Sequence, residues 1–103
     1  MEVQHFSTVN DGRFFVEINA GSVSKPNMLQ AELRYKKQGN VMDTHHTFVP
    51  EELRGRGLAD ILTKAAFDYA KKHNMKIKPT CSYINDTFLK KFPELKYMTI
   101  SLE

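Results

Sequence analysis

Residues 54–60 read Arg-Gly-Arg-Gly-Leu-Ala-Asp and run straight into an amphipathic stretch. Glycine in the entry turn of a helix costs backbone entropy, so its use there implies a requirement. A phosphate supplies one, because it needs bare backbone, unpaired N–H groups and positive charge. The N–H groups of about Arg56 to Asp60, Leu58 and Ala59 among them, open the helix and lack intrahelical acceptors. Gly55 and Gly57 remove side chains that would hold an anion off, while Arg54 and Arg56 add charge. The spacing is not that of a P-loop, and Asp60 stands where the dinucleotide motif needs its last glycine or alanine. The plain alternative is a flexible surface turn with solvated arginines.

The elements that must hold this turn follow from periodicity. Leu58, Ile61, Leu62, Ala65, Ala66 and Tyr69 recur at helical spacing and predict one main helix over 58–74. Asp60 with Lys64 and Asp68 with Lys72 stand four apart on its outer surface, and Asn74 can end it. Upstream, 13–18 predicts a strand, 19–27 a loop, and the strict alternation of 28–35 a strand with one buried face. The 36–40 stretch carries a hairpin signal into 41–49, which is long enough for two strands with a bend near Asp43 and Thr44. Downstream come a strand over 75–83 interrupted by Pro79, a short helix over 85–92 capped by Asn85 or Asp86, and a last strand over 96–103. This order predicts an α+β fold: a mixed, mainly antiparallel sheet with one parallel crossover around the main helix.

The chain has 103 residues, which predicts a single domain over 1–103. No apolar run approaches the length of a bilayer span, and none near Met1 resembles a signal peptide. Cys81 is the only cysteine, which excludes an internal disulfide and suits a reducing, cytoplasmic compartment. A net charge of +3 mildly favours an anionic ligand. Acidic residues interleave with the basic ones and no aromatic-basic strand motif appears, which argues against nucleic acid. Neither a membrane partner nor an oligomer is indicated.

Three linked motifs then stand out: His46-Thr47-Phe48-Val49-Pro50, the Arg-x-x-Gly-x-Ala set of Arg54, Gly57 and Ala59, and Pro79-Thr80-Cys81-Ser82-Tyr83. Together they resemble the small single-domain members of the GNAT superfamily of N-acetyltransferases, over roughly residues 28–92. The resemblance implies a minimal GNAT fold in which the strands before the loop and after the helix splay apart. It implies acetyl-CoA as co-substrate, its pyrophosphate on the 54–60 turn. Its pantetheine would lie in the splay against backbone groups of Phe48 and Val49, and Pro79 would sit where pairing has stopped. Asn85 matches the asparagine with which this superfamily often holds coenzyme A.

Acetyl transfer requires that the amine lose a proton, the oxyanion be stabilised and the departing thiolate be protonated. Under the resemblance Cys81 serves either as nucleophile or as the acid for that thiolate. Tyr83 is an alternative acid. A nucleophile needs a neighbouring base or cation, for which His46 is the candidate. His45 and His46 are adjacent in a strand and point to opposite faces, so one alone can take part. The plain readings are a small core thiol and a structural histidine. Divergent histidines and too few ligands argue against a zinc site built from His45, His46 and Cys81. Only the 19–27 loop stands where larger relatives have helices that shape the acceptor pocket. An open acceptor side is therefore expected, and with it an amine on a larger molecule. The alternative function is a module that binds coenzyme A without turnover.

Overall fold

The computed structural model describes residues 2–101. Five strands form one sheet in sequence order: β1 (Gln4–Ser7), β2 (Asp11–Asn19), β3 (Met28–Gln38), β4 (Val41–Phe48) and β5 (Lys76–Lys78). The first three pairings are antiparallel; β5 joins β4 in parallel after a crossover through α1 (Leu58–Lys72). This is the mixed sheet, main helix and parallel crossover that the sequence predicts. Tyr83–Phe88 forms a wide π-helical turn that leads directly into the short helix α2 (Leu89–Lys91), so helical structure starts two residues earlier than expected. Asn85 therefore lies inside it and caps nothing.

The alternation of β2 and β3 sets the layers. Phe14, Val16, Ala31, Leu33 and Tyr35 point to one face and are buried there with α1. On the uncovered face, Glu32 accepts from Arg13 at 3.1 Å and from Arg34 at 2.8 Å. Helix α1 buries Leu58, Leu62, Thr63, Ala66, Phe67 and Ala70. Its buried face extends to Thr63, Phe67 and Ala70, where the 83–98 segment packs with Phe67 and Phe88 rings 5.4 Å apart, while Ala65 and Tyr69 stay half-buried against the core and Ile61 is exposed. Thr63 tolerates burial by donating its hydroxyl to the Ala59 carbonyl at 2.7 Å. Asn74 ends the helix in the left-handed region at φ 55°. Met75 N–H closes back on the Ala70 carbonyl and Asn74 N–H on that of Lys71, a Schellman ending. Among the described residues no helix is long and apolar enough to cross a membrane.

Other expectations change, among them the strand over 75–83, which is confined to Lys76–Lys78. β1 was not legible, because all four of its residues are exposed and none alternates. It is held by a histidine: His5 stacks on Phe14 at 4.1 Å and meets the Tyr35 hydroxyl at 2.6 Å. Burial lowers the His5 pKa and raises that of Tyr35 to about 12, which favours the neutral form of both rings across this bond. The stretch 41–49 holds one strand, not two; the expected bend is a β-bulge at His45, since Arg34 faces His46 while Tyr35 faces Thr44. The last expected strand is instead a 3-10 helix, Pro93–Met98, followed by a single parallel bridge between Ile77 and Thr99. β5 is only three residues long and offers little edge to pair with; Leu102 and Glu103 lie outside the described residues. Finally, neither expected pair along α1 forms among the described residues, where Asp60 meets Lys91 instead.

Gly12 reports on the Tyr35 packing. A Cβ there would come to 2.5 Å from the Tyr35 hydroxyl and 2.9 Å from the Phe6 carbonyl. Gly12→Ala should therefore destabilise the fold by about 1–3 kcal/mol, the range for overpacking, as a lowered urea midpoint at unchanged slope. An unaltered midpoint would mean that β1 is not held this way.

Candidate functional site

The parallel ladder between β4 and β5 consists of Val41–Lys76, Met42–Ile77 and Asp43–Lys78, and there it stops. Pro79 follows and has no N–H to continue it. Two bonds then tie the diverging chains: the buried Thr44 hydroxyl donates to the Lys78 carbonyl at 3.1 Å, and Cys81 N–H donates to the Thr44 carbonyl at 2.9 Å. From His45 to Phe48, β4 runs on without a β5 partner. The strands part as the resemblance implies.

The bulge decides which β4 side chains look into the opening. Without it, Thr44, His46 and Phe48 would share a face. With it, Thr47 lies opposite the buried Leu33, while His46 lies opposite the exposed Arg34 on the uncovered face. The Cys81 thiol accordingly donates to the Thr47 hydroxyl, at 3.5 Å. The structure brings Cys81 to Thr47 rather than to His46. Thr47 is a site residue the functional reading of the sequence missed, although it stands inside one of the three motifs.

Chain direction then reverses through Pro50, a single 3-10 turn at Glu51–Leu53 and the glycine turn. Buried Leu53 anchors this link. Arg54 extends its Nε to the Val49 carbonyl at 3.2 Å and so braces the turn from behind. Gly55 and Gly57 adopt φ of 81° and 73°, the left-handed region that glycine enters without strain. Gly57 is the N-cap of α1 and supplies no side-chain cap. The first backbone bond of the helix runs from Ile61 N–H to the Gly57 carbonyl, so the N–H groups of Leu58, Ala59 and Asp60 have no acceptor within the helix.

The residues that carry these groups line a cavity of about 370 Å³. Val49, Arg54, Gly55, Gly57, Leu58, Ala59 and Asp60 line one side of it. Tyr83 and Lys91 line the other, and Arg56 is not part of the lining. Asp60, in the first turn of α1, receives the Tyr83 hydroxyl on one carboxylate oxygen and the Lys91 ammonium at 2.8 Å on the other. Lys91 is the second residue missed; no pattern links positions 60 and 91. Asn85 is exposed and bonds its neighbour Asp86 at 3.2 Å, and Phe48 is exposed at the open end of β4. A separate concavity of about 380 Å³ lies on the uncovered sheet face, lined by Arg13, Arg34, Lys36 and His45 beside Phe6 and Asp11. Among the described residues no cluster of three metal-ligating side chains occurs.

This arrangement can hold an extended anionic ligand, its charged end on the N-terminus of α1 and its remainder along the free edge of β4. A sequence profile described as GCN5-related N-acetyltransferase matches residues 15–98. Protein NATD1 of Bos taurus is 39% identical over 70 residues, covering 67% of this chain and 61% of that protein. Protein NATD1 of Danio rerio is 40% identical over 70 residues, covering 67% and 63%. The chain thus spans about three-fifths of the length of the curated relatives it matches.

The geometry of Gly57 is directly testable. A Cβ at this position meets nothing within 4 Å, so conformation and not space restricts it. Gly57→Val should cost about 1–2 kcal/mol of stability, the penalty of the left-handed region, whereas Gly57→Asn should cost clearly less. Equal losses in thermal denaturation would contradict the turn described here.

Proposed function

The chain belongs to the GCN5-related N-acetyltransferase family, and on that basis we propose that it moves an acetyl group from acetyl-CoA to a primary amine. The observation that carries this reading is the uncapped N-terminus of α1, opening on a cavity that Val49, just beyond the end of β4, and Tyr83 also line. Diphosphate oxygens would accept from the N–H groups of Leu58, Ala59 and Asp60, with the helix dipole favouring their charge. Pantetheine would then run beside Phe48 and Val49 toward Cys81. The Val49 carbonyl already holds Arg54, so the remaining free backbone groups of β4 carry that contact.

Cys81 is the chemical group at the inner end. As a nucleophile its thiolate attacks the acetyl carbonyl and expels the coenzyme A thiolate, which takes up a proton. The amine next attacks the enzyme thioester, loses its proton and releases the Cys81 sulfur. As an acid, the thiol instead protonates the leaving thiolate during direct attack by the amine. Thr47 orients the sulfur in either case. Tyr83 serves less readily, since its hydroxyl is engaged by Asp60. The uncovered sheet face, open to solvent, favours an acceptor amine carried on a larger molecule. A cytoplasmic location belongs to the same proposal, on the strength of the single thiol.

Calorimetric titration with acetyl-CoA should show binding that Gly57→Val weakens at least tenfold, a loss of about 1.4 kcal/mol. An unchanged dissociation constant in folded Gly57→Val would remove the site. Binding without acetyl consumption across a panel of amines would leave a non-catalytic coenzyme A module.

Mass spectrometry separates the two roles of Cys81. A nucleophile should gain one acetyl mass from acetyl-CoA alone, removable by hydroxylamine. An acid should gain none, yet Cys81→Ala should slow transfer by about a hundredfold. Full activity of Cys81→Ala with no acetylated wild-type protein would sink both.

A further inference from the structure

The N-terminus of α1 carries an acid in the place where an incoming diphosphate needs cations. An aspartate in the first turn favours the free helix by satisfying its dipole, but the same charge opposes an anionic ligand. In this chain the conflict is contained. Asp60 is 22% exposed and has both carboxylate oxygens engaged, one by Tyr83 and the other by Lys91. Its expected helical partner, Lys64, is occupied elsewhere, with its ammonium 4.2 Å above the Phe92 ring. That contact and the Lys91 bond pin the end of the 83–92 segment to α1 from two adjacent residues.

Lys91 itself lines the cavity and is 51% exposed. An ion pair at that exposure contributes little, because water screens it and ordering the lysine stem costs entropy. The lysine is therefore free to change partner at small cost. A diphosphate seated on the N–H groups of Leu58 to Asp60 offers more charge than one carboxylate and lies within the same cavity lining. The flexible four-carbon stem and three rotatable donors suit that exchange.

We propose that Lys91 is a phosphate ligand of this site, and that Asp60 is the counter-ion it holds until the diphosphate of coenzyme A arrives. The exchange leaves Asp60 bonded to Tyr83 alone. Asp60 thus lowers affinity for the anionic coenzyme while holding the Lys91 ammonium beside the N-terminus of α1 in the free protein. This inference rests on the coenzyme A reading above.

The test is calorimetry on the full chain, with coenzyme A and, as a probe without phosphates, pantetheine. Lys91→Gln should weaken coenzyme A on the order of tenfold and leave pantetheine unchanged, since a hydrogen bond between charged groups is lost only with the former. Lys91→Arg should retain most of the affinity. Asp60→Asn keeps an acceptor for Tyr83 but removes the competing charge, so coenzyme A should bind several-fold tighter, and less so at high salt. Melting curves without ligand confirm that each variant is folded. Binding by the wild type with no change in Lys91→Gln, or weaker binding by Asp60→Asn, overturns this inference alone. Absence of coenzyme A binding by the wild type overturns the reading it rests on as well.

Discussion

The ladder between β4 and β5 has three rungs, and much of the molecule is arranged around the place where it ends. A parallel pair normally continues as long as each strand can donate in turn; Pro79 cannot. The chain compensates locally. Thr44 spends its hydroxyl on the Lys78 carbonyl, and Cys81 returns an N–H to Thr44, so the parting strands leave few buried polar groups without a partner. Because those two bonds lie immediately beyond the last rung, the opening has a rigid apex. Cys81 is fixed at it.

The same break explains why the chain after β5 is helical. A longer β5 would present an edge for the C-terminal residues to extend. Three residues cannot, and the chain folds back through Tyr83–Phe88, α2 and Pro93–Met98 against the flank of α1. Phe88, Leu89 and Met98 are buried there, and the buried face of the helix extends to that flank. Lys91 comes to the glycine turn as a consequence of this packing. The cavity is therefore shared between two parts of the chain that α1 and β5 separate in sequence, and its charge balance is set by side chains from both.

One covered sheet face and one uncovered face complete the picture. The covered face is a conventional core. The uncovered face keeps its charges satisfied through Glu32, which two arginines share, so it can face solvent or a partner without an unpaired buried group. With only residues 20–27 between β2 and β3, no helix is available to close it. That face offers an open concavity of about 380 Å³ rather than an enclosed pocket.

What the sequence determined by itself was whatever local periodicity and backbone chemistry encode. The stripe beginning at Leu58 specified α1, the alternation from Leu29 to Tyr35 specified β3 and its buried face, and Asn74 marked the helix end. Gly57 and the bare N–H groups after it were legible because only glycine adopts that conformation freely ahead of a helix. Pro79 marked either an edge strand or the place where pairing stops. Tertiary structure decided the rest. β1 has no apolar pattern and exists because His5 finds Phe14 and Tyr35, residues 9 and 30 positions away. A one-residue bulge at His45 inverted the faces of the residues after it and gave Cys81 a threonine as partner where a histidine was expected. Period-two arguments cannot survive an inserted residue, and nothing in the local sequence declares the insertion. Asp60 likewise joined Lys91, 31 positions away, because Lys64 lies over an aromatic ring that only the folded C-terminal segment brings to it. Local propensity fixes elements and their turns; which charges and thiols finally meet depends on register and packing between distant segments, and these are properties of the whole chain.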